Sequence, residues 1–300
     1  MATRPYAIFS CDLDTVDRHL QGYGIENLPA CDRVYRTAVP RVLELFDELD
    51  VPGVLFVIAR DAHSESALWR RAVAGGHEVA SHSLTHTQPF STLDDDRLRA
   101  ELGESRARLS EASGAEVIGF RAPAWDVTDR VLGMIAECGY RYDASVFPTP
   151  ILVASRLAAY RRSARKGSIF SMDLLGHALA PTAPHQSRAA RGALVEFPIS
   201  VTRWLRLPVY HTFSYFVPPW LFRRGLRSAL RSGRPLCYEF HAADLLDLAS
   251  DGIDPRMDRH PGMKVPLAAK RAALRDILAT IARERRVLTY RQAMEEGIAA

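Results

Sequence analysis

Two imidazoles four residues apart, in Ser81-His82-Ser83-Leu84-Thr85-His86, are the side chains of this sequence most suited to hold a metal ion. Neutral imidazole is the commonest protein ligand for a transition metal, and two of them leave room for a carboxylate and a water. If His82 opens a helix, the spacing sets both rings on one face. A carboxylate source lies near the N-terminus, where Tyr6-Ala7-Ile8-Phe9-Ser10-Cys11 runs into Asp12-Leu13-Asp14. Strand alternation points Asp12 and Asp14 the same way, and two carboxylates that close need a cation or an arginine to stay ionised. Three further groups follow apolar runs: Arg121 in Arg121-Ala122-Pro123-Ala124-Trp125, Asp143 in Tyr142-Asp143-Ala144-Ser145, and His241 after Leu236-Cys237-Tyr238-Glu239-Phe240. Taken singly, each has a plainer reading as a surface histidine, an Asp-rich turn or a core residue.

What must position these groups is an alternation of strands and helices. Strands are expected at residues 6–11, 54–58, 77–80, 117–120, 140–146, 194–198, 236–241 and 287–290. Helices are expected at 39–49, 66–74, 93–112, 127–138 and 267–283, with Ser91 or Thr92 capping the third and Gly75-Gly76 stopping the second. Histidine or charged residues follow the same end of strand after strand. That pattern describes a parallel α/β sheet or barrel with its site at the carboxyl edge. No repeat or linker divides the chain, so residues 1–300 are expected to form one domain with a basic, aromatic-rich insertion around 151–234.

The charge is unevenly spread. Between Arg156 and Arg234 there are 14 Lys or Arg against two acids, Asp173 and Glu196, so this segment carries +12 of a net +4 and the remainder carries −8. A surface facing an anion is implied: a phosphorylated small molecule, anionic lipid or nucleic acid. No nucleic-acid module accompanies the charge, and no nucleic-acid partner is expected. Aromatic residues from Trp204 to Phe222 beside Arg223, Arg224 and Arg227 suit a lid, or a groove touching an apolar ligand or a membrane surface. The four cysteines are scattered with no Cys-x-x-Cys, and no apolar run approaches a membrane span. Residues 1–10 hold too short an apolar run for a secretory signal. The expected location is the cytoplasm, with peripheral contact at the inner membrane face.

Taken together and in order, Asp12-x-Asp14, His82-x-x-x-His86, Arg121-x-Pro123, Tyr142-Asp143-Ala144-Ser145 and a strand ending in His241 resemble the polysaccharide deacetylases, the NodB-like carbohydrate esterases. The resemblance runs from Tyr6 to His241. It implies an α/β fold, a distorted (β/α) barrel of about seven strands, and hydrolysis of an amide or ester on a sugar. It also implies roles. Asp14, His82 and His86 would bind a divalent metal, zinc first by ligand type, with cobalt, nickel, manganese or iron close behind. Asp12 would be the general base, Arg121 would hold it ionised, and His241 would be the general acid. Asp143 would orient that histidine, although Phe147 stands where the family has tryptophan. Trp125 would wall the sugar pocket with Ala124, Pro123 and Phe147, and a backbone N–H near Ala124 would meet the oxyanion.

Leu13 between the two acids is a departure shared with relatives acting on lipid-linked sugars. With the short N-terminal apolar run and the +12 aromatic segment, the expected substrate is an N-acetyl or N-formyl amino sugar on a lipid-linked or glycolipid carrier, a lipid phosphate among the candidates. The alternatives are a soluble chitooligosaccharide, polysaccharide or nucleotide sugar, and a non-catalytic carbohydrate-binding protein on the same fold.

Overall fold

The structure is a computed structural model that describes residues 5–297 apart from 26–27, 30, 155–175, 177 and 192. The basic run Arg161-Arg162-Ser163-Ala164-Arg165-Lys166 lies outside the described residues.

The first half alternates as expected: β1 (Tyr6–Asp12), α1 (Val16–Gly22), α2 (Val39–Glu48), β2 (Val54–Val57), α3 (Ser66–Ala74), β3 (Glu78–Ser81), α4 (Asp95–Ser113), β4 (Gly119–Phe120), α5 (Asp129–Glu137) and β5 (Tyr142–Asp143). The second half supplies β6 (His185–Gln186), β7 (Val195–Glu196), α6 (Pro219–Leu230), β8 (Leu236–His241), α7 (Leu267–Glu284), β9 (Arg286–Val287) and α8 (Tyr290–Glu295). The sheet order is β6-β7-β5-β4-β3-β2-β1-β8, with β9 on β1. Every pairing is parallel except β6 with β7. The sheet curls, and the chain just past β7 reaches the far edge. Ser200 N–H donates to the Cys237 carbonyl at 3.3 Å, and Cys237 N–H donates to Ser200 Oγ at 2.8 Å. Thus β7, within the 151–234 range, belongs to the curled sheet itself.

Period-two alternation explains how one strand serves two layers. In β1, Ala7, Phe9 and Cys11 pack outward under the helices, while Tyr6 and Ile8 pack inward. Inward residues from the other strands join them: Val54, Phe56, Ala80, Ile118, Tyr142, Val195 and Cys237. Above this apolar floor the same inward register continues as Ser10 and Asp12 on β1 and Glu239 and His241 on β8. Asp12 and His241 are direct partners in the ladder.

Where β4 and β5 begin to pair, the ladder is irregular. The Ile118 carbonyl accepts from both Arg141 N–H (2.7 Å) and Tyr142 N–H (3.2 Å). Gly119 is required here, because a Cβ would stand 1.8 Å from the Tyr142 ring. Ile118 packs inward, and the alternation breaks after it, so that Phe120 faces the outer core and Arg121 the interior.

Three expectations need correction. Asp94, rather than Ser91 or Thr92, caps α4, accepting from Arg97 N–H at 2.9 Å. Residues 287–290 are not one strand: Thr289 and Gln292 form a capping box that turns Tyr290 into the first residue of α8. Its Tyr290 and Ala293 join the apolar floor of the curled sheet. Finally, no helix opens at His82.

Candidate active site

The two histidines meet through a tight loop instead. Ser83 and His86 both adopt left-handed backbone, at φ 66° and 57°, a conformation that costs free energy in non-glycine residues and concentrates at functional sites. Neighbouring groups hold it. His82 N–H continues the ladder to the Val57 carbonyl (2.9 Å), and His86 N–H donates to Ser83 Oγ (2.9 Å). The Glu101 carboxylate on α4 accepts from Leu84 N–H and Thr85 N–H, both at 2.9 Å, and from the Thr85 hydroxyl.

His82 donates from Nδ1 to the Arg121 carbonyl at 2.8 Å, which turns Nε2 inward toward Asp14. Asp14 Oδ1 lies 3.0 Å from His82 Nε2 and 3.1 Å from His86 Nε2. Three ligand atoms around one divalent ion at about 2.1 Å would stand roughly 3.0–3.5 Å apart, so these separations fit. Asp14 Oδ1 and His86 Nε2 are also buried atoms that no hydrogen bond satisfies among the described residues. Burial works to raise the Asp14 pKa, yet the His86 and His82 imidazoles hold it well below the usual carboxylate range. Burial opposes charge on His82 too, and the Asp12 and Asp14 carboxylates lift it to about 9. A cluster that strains to neutralise a carboxylate is the electrostatic setting a cation would relieve.

Asp12 stands beside this triad. Its Oδ1 accepts from Arg121 Nη1 at 2.5 Å, and its Oδ2 is 3.8 Å from His82 Nε2. Arg121 is completely buried, stacks its guanidinium 4.1 Å over the Phe56 ring, and also donates to Ser10 Oγ (3.1 Å), Tyr290 Oη (3.2 Å) and the Ala144 carbonyl (2.9 Å). His241 comes in from β8, with Nε2 at 4.0 Å from Asp14 Oδ2 and Nδ1 at 3.3 Å from Thr212 Oγ1. Burial opposes its charge, but Asp14, Glu239 and Asp12 raise its pKa.

A cleft of about 320 Å³ opens over these groups, lined by Asp12, Asp14, His82, His86, Ala124, Trp125, Tyr210 and His241 among others. Ala124 and Trp125 have consecutive left-handed backbone, φ 53° and 54°, which turns the indole over the cleft. Pro123 is buried beneath them and Phe147 packs behind Trp125 and Tyr210, at ring distances of 5.2 and 5.4 Å. Neither of these two lines the cleft, and Phe147 backs its aromatic wall.

Glu239 is the residue the sequence reading passed over. It is fully buried, accepts from the Trp125 indole N–H at 3.0 Å, and lies 3.5 Å from Arg121 Nη1 and 3.9 Å from His241 Nε2. Burial pushes its carboxyl up to about 7, against the pull of Arg121. Its signal was available, since Glu239 and His241 share a face by strand alternation. His19 and His260 also line the cleft. Burial drives both down, to about 3 and about 4. Nothing in the spacing of these two around the other motifs marked them.

Asp143 does not reach His241. Both of its oxygens are taken by Ser145, which donates from its N–H (2.8 Å) and its hydroxyl (2.6 Å); Ser145 Oγ then accepts from Ala122 N–H at 2.8 Å. Asp143 therefore supports the Arg121-Ala122-Pro123 turn: Tyr142 and Ala144 on either side of it join the inner apolar floor, so strand alternation turns Asp143 to the other face, away from His241. Burial pushes its carboxyl up to about 7, despite those hydrogen bonds. Between about pH 4 and 7 the folded state keeps a proton the unfolded chain has released, so this group withdraws stability as pH rises through that window. Melting curves should show Asp143→Asn gaining on wild type from acid to neutral pH. Parallel curves would place the carboxyl at an ordinary value.

Residues 30–142, which hold the histidine pair and Arg121, match the family model for polysaccharide deacetylase. Over those residues the chain is similar to the polysaccharide deacetylases. Among curated proteins, a peptidoglycan deacetylase of Helicobacter pylori is 26% identical over 152 residues, covering 49% of this chain and 51% of that protein. A chitooligosaccharide deacetylase of Sinorhizobium fredii is 38% identical over 100 residues, 33% of this chain and 46% of its own length. The chain thus spans about half the length of these deacetylases. A crystal structure of a Mycobacterium smegmatis protein described as a polysaccharide deacetylase superposes with a TM-score of 0.61 at 20% identity, covering 98% of this chain and 90% of that one. That likeness concerns the fold.

Proposed function

We propose that this deacetylase domain is a metal-dependent hydrolase that removes an N-acetyl or N-formyl group from an amino sugar, and that residues 1–300 act as one unit in doing so. The observation that carries the reading is the convergence, over one cleft, of the Asp14–His82–His86 triad, the Asp12–Arg121 pair and His241. A divalent ion held by Asp14, His82 and His86 would supply positive charge for the acyl oxygen and a more acidic water. Zinc suits two imidazoles and a carboxylate, as do cobalt, nickel, manganese and iron.

Asp12 takes the proton of the attacking water, and Arg121 fixes which of its oxygens is free to do so. The C–N bond then breaks, and His241 delivers a proton to the departing amine, a poor leaving group without it. Trp125 presents an aromatic face to the sugar, and Glu239 pins its indole. The names of the curated relatives support N-acetylated sugars as the substrate class. The +12 segment supports a lipid-phosphate carrier and a peripheral position on an anionic membrane face. No helix among the described residues is long and apolar enough to cross a membrane.

Elemental analysis of wild type beside His86→Ala and Asp14→Ala, each checked for folding, tests the centre of this reading. About one equivalent of metal in wild type and none in either variant is expected, with acetate release from chitooligosaccharide lost in parallel. A folded wild type that takes up no metal on reconstitution would leave a carbohydrate-binding protein.

A further inference from the structure

A second concave surface lies outside the catalytic cleft. It is a depression of about 410 Å³ lined by Arg203, Trp204, Arg224, Arg227 and Arg231, with Ser228 and Ser232 between them. Four guanidiniums facing one hollow repel one another unless an anion sits among them. Among the described residues, no carboxylate lies within ion-pairing distance of any of the four; Arg206 and Arg234, close to them in the chain, are instead spent on the carbonyls of Ala178 and Ala180 and on the Thr182 hydroxyl.

The geometry of α6 explains the arrangement. Phe222, Leu226, Ala229 and Leu230 turn into the core. Trp220, Arg224, Arg227 and Arg231, spaced i, i+4, i+7 and i+11, form the opposite stripe. Facing it is the turn closed by the Val201–Pro208 bridge, whose tip carries Arg203 stacked 4.8 Å over the Trp204 ring. Trp204, Leu205 and Trp220 are 81%, 72% and 67% exposed. Single exposed apolar residues are ordinary, but three large ones around an arginine-lined hollow are not. Free phosphate would be served by the arginines and would leave this apolar rim in water. The headgroup region of a bilayer serves both, taking indole and leucine at the acyl boundary and guanidinium at the phosphates.

We infer that this arginine–tryptophan face docks on an anionic phospholipid bilayer. The inference deepens the reading of a lipid-borne substrate by naming where the protein meets the carrier's membrane. The connection is short: the same segment that exposes Trp204 and Leu205 continues into Tyr210 and Thr212, which line the catalytic cleft.

The test is co-sedimentation of the full chain with phosphatidylcholine vesicles, with and without phosphatidylglycerol. Binding to the anionic vesicles alone is expected, weakening as salt rises. The double variant Arg224→Gln/Arg227→Gln should lower the partition coefficient about tenfold or more. Trp204→Ser should lower it with the salt dependence kept, and all variants should turn over soluble substrate at the wild-type rate. Failure to bind anionic vesicles, or binding that these substitutions leave unchanged, overturns the inference. So does tighter, salt-sensitive binding to duplex DNA or RNA in the same buffer. Sedimentation does not depend on catalysis, so a protein that docks yet lacks metal or turnover would sink the proposed reaction and leave the docking face standing.

Discussion

Asp12→Asn is expected to keep both fold and metal while slowing deacetylation by about 10²- to 10⁴-fold, the range for loss of a positioned general base. Asparagine has the same shape and its carbonyl can still accept from Arg121 Nη1, which now meets Asp12 Oδ1 at 2.5 Å. What disappears is the second oxygen's capacity to take a proton. Asp14, His82 and His86 are untouched, so elemental analysis should return the wild-type metal content. The effect should fall on kcat more than on KM, because the loss is confined to the step in which the proton moves. A variant with full turnover would remove Asp12 from the chemistry. One that loses its metal would show that Asp12 belongs to the ligand set, which its 3.8 Å approach to His82 Nε2 makes a real contrast to measure.

The layout of the site was legible because strand ends are legible. Buried parallel strands read as apolar runs, and the residue that follows each one lies at the carboxyl edge. Asp12, Arg121 and His241 were found in that way; Asp12 and His241 line one cleft, and Arg121 is buried against Asp12. The expected helix at His82 failed for a local reason. His-x-x-x-His has helical spacing, but the Glu101 carboxylate and the Ser83 hydroxyl satisfy a loop that tolerates two left-handed residues. Partners 17 residues away in the chain leave no trace in a window of five. Asp143 was misread because the face it takes depends on which of its neighbours turn inward: Tyr142 and Ala144 do, so Asp143 points the other way. Glu239 was hidden by its company: between Tyr238 and Phe240 it looked like an interruption of a core strand, although its alternation with His241 was visible. The start of α8 at Tyr290 was missed because Val287-Leu288-Thr289-Tyr290 has strand-like composition, and only the Thr289–Gln292 capping box ends it.

Arg121→Met should be the most damaging substitution to stability. The guanidinium is fully buried with hydrogen bonds to Asp12, Ser10, Tyr290 and the Ala144 carbonyl, and it lies 3.5 Å from Glu239 Oε2. Methionine fills much of the stem's volume against Phe56, so the cavity is small. The cost comes from leaving Asp12 and Glu239 as buried carboxylates without their shared cation, about 3–5 kcal/mol when one partner of a buried pair is removed. If that account is right, Glu239→Gln should compensate. Glutamine keeps an oxygen for the Trp125 indole N–H and deletes one of the stranded charges. Urea denaturation of the two single variants and the double variant gives the coupling directly. A non-additive term of about 0.5–3 kcal/mol favouring the double is expected for groups in one charge network. Simple additivity would mean that Arg121 holds Asp12 alone, and that Glu239 serves only to fix Trp125. The restored fold should not restore turnover, because Asp12 would still lack the group that holds it in place.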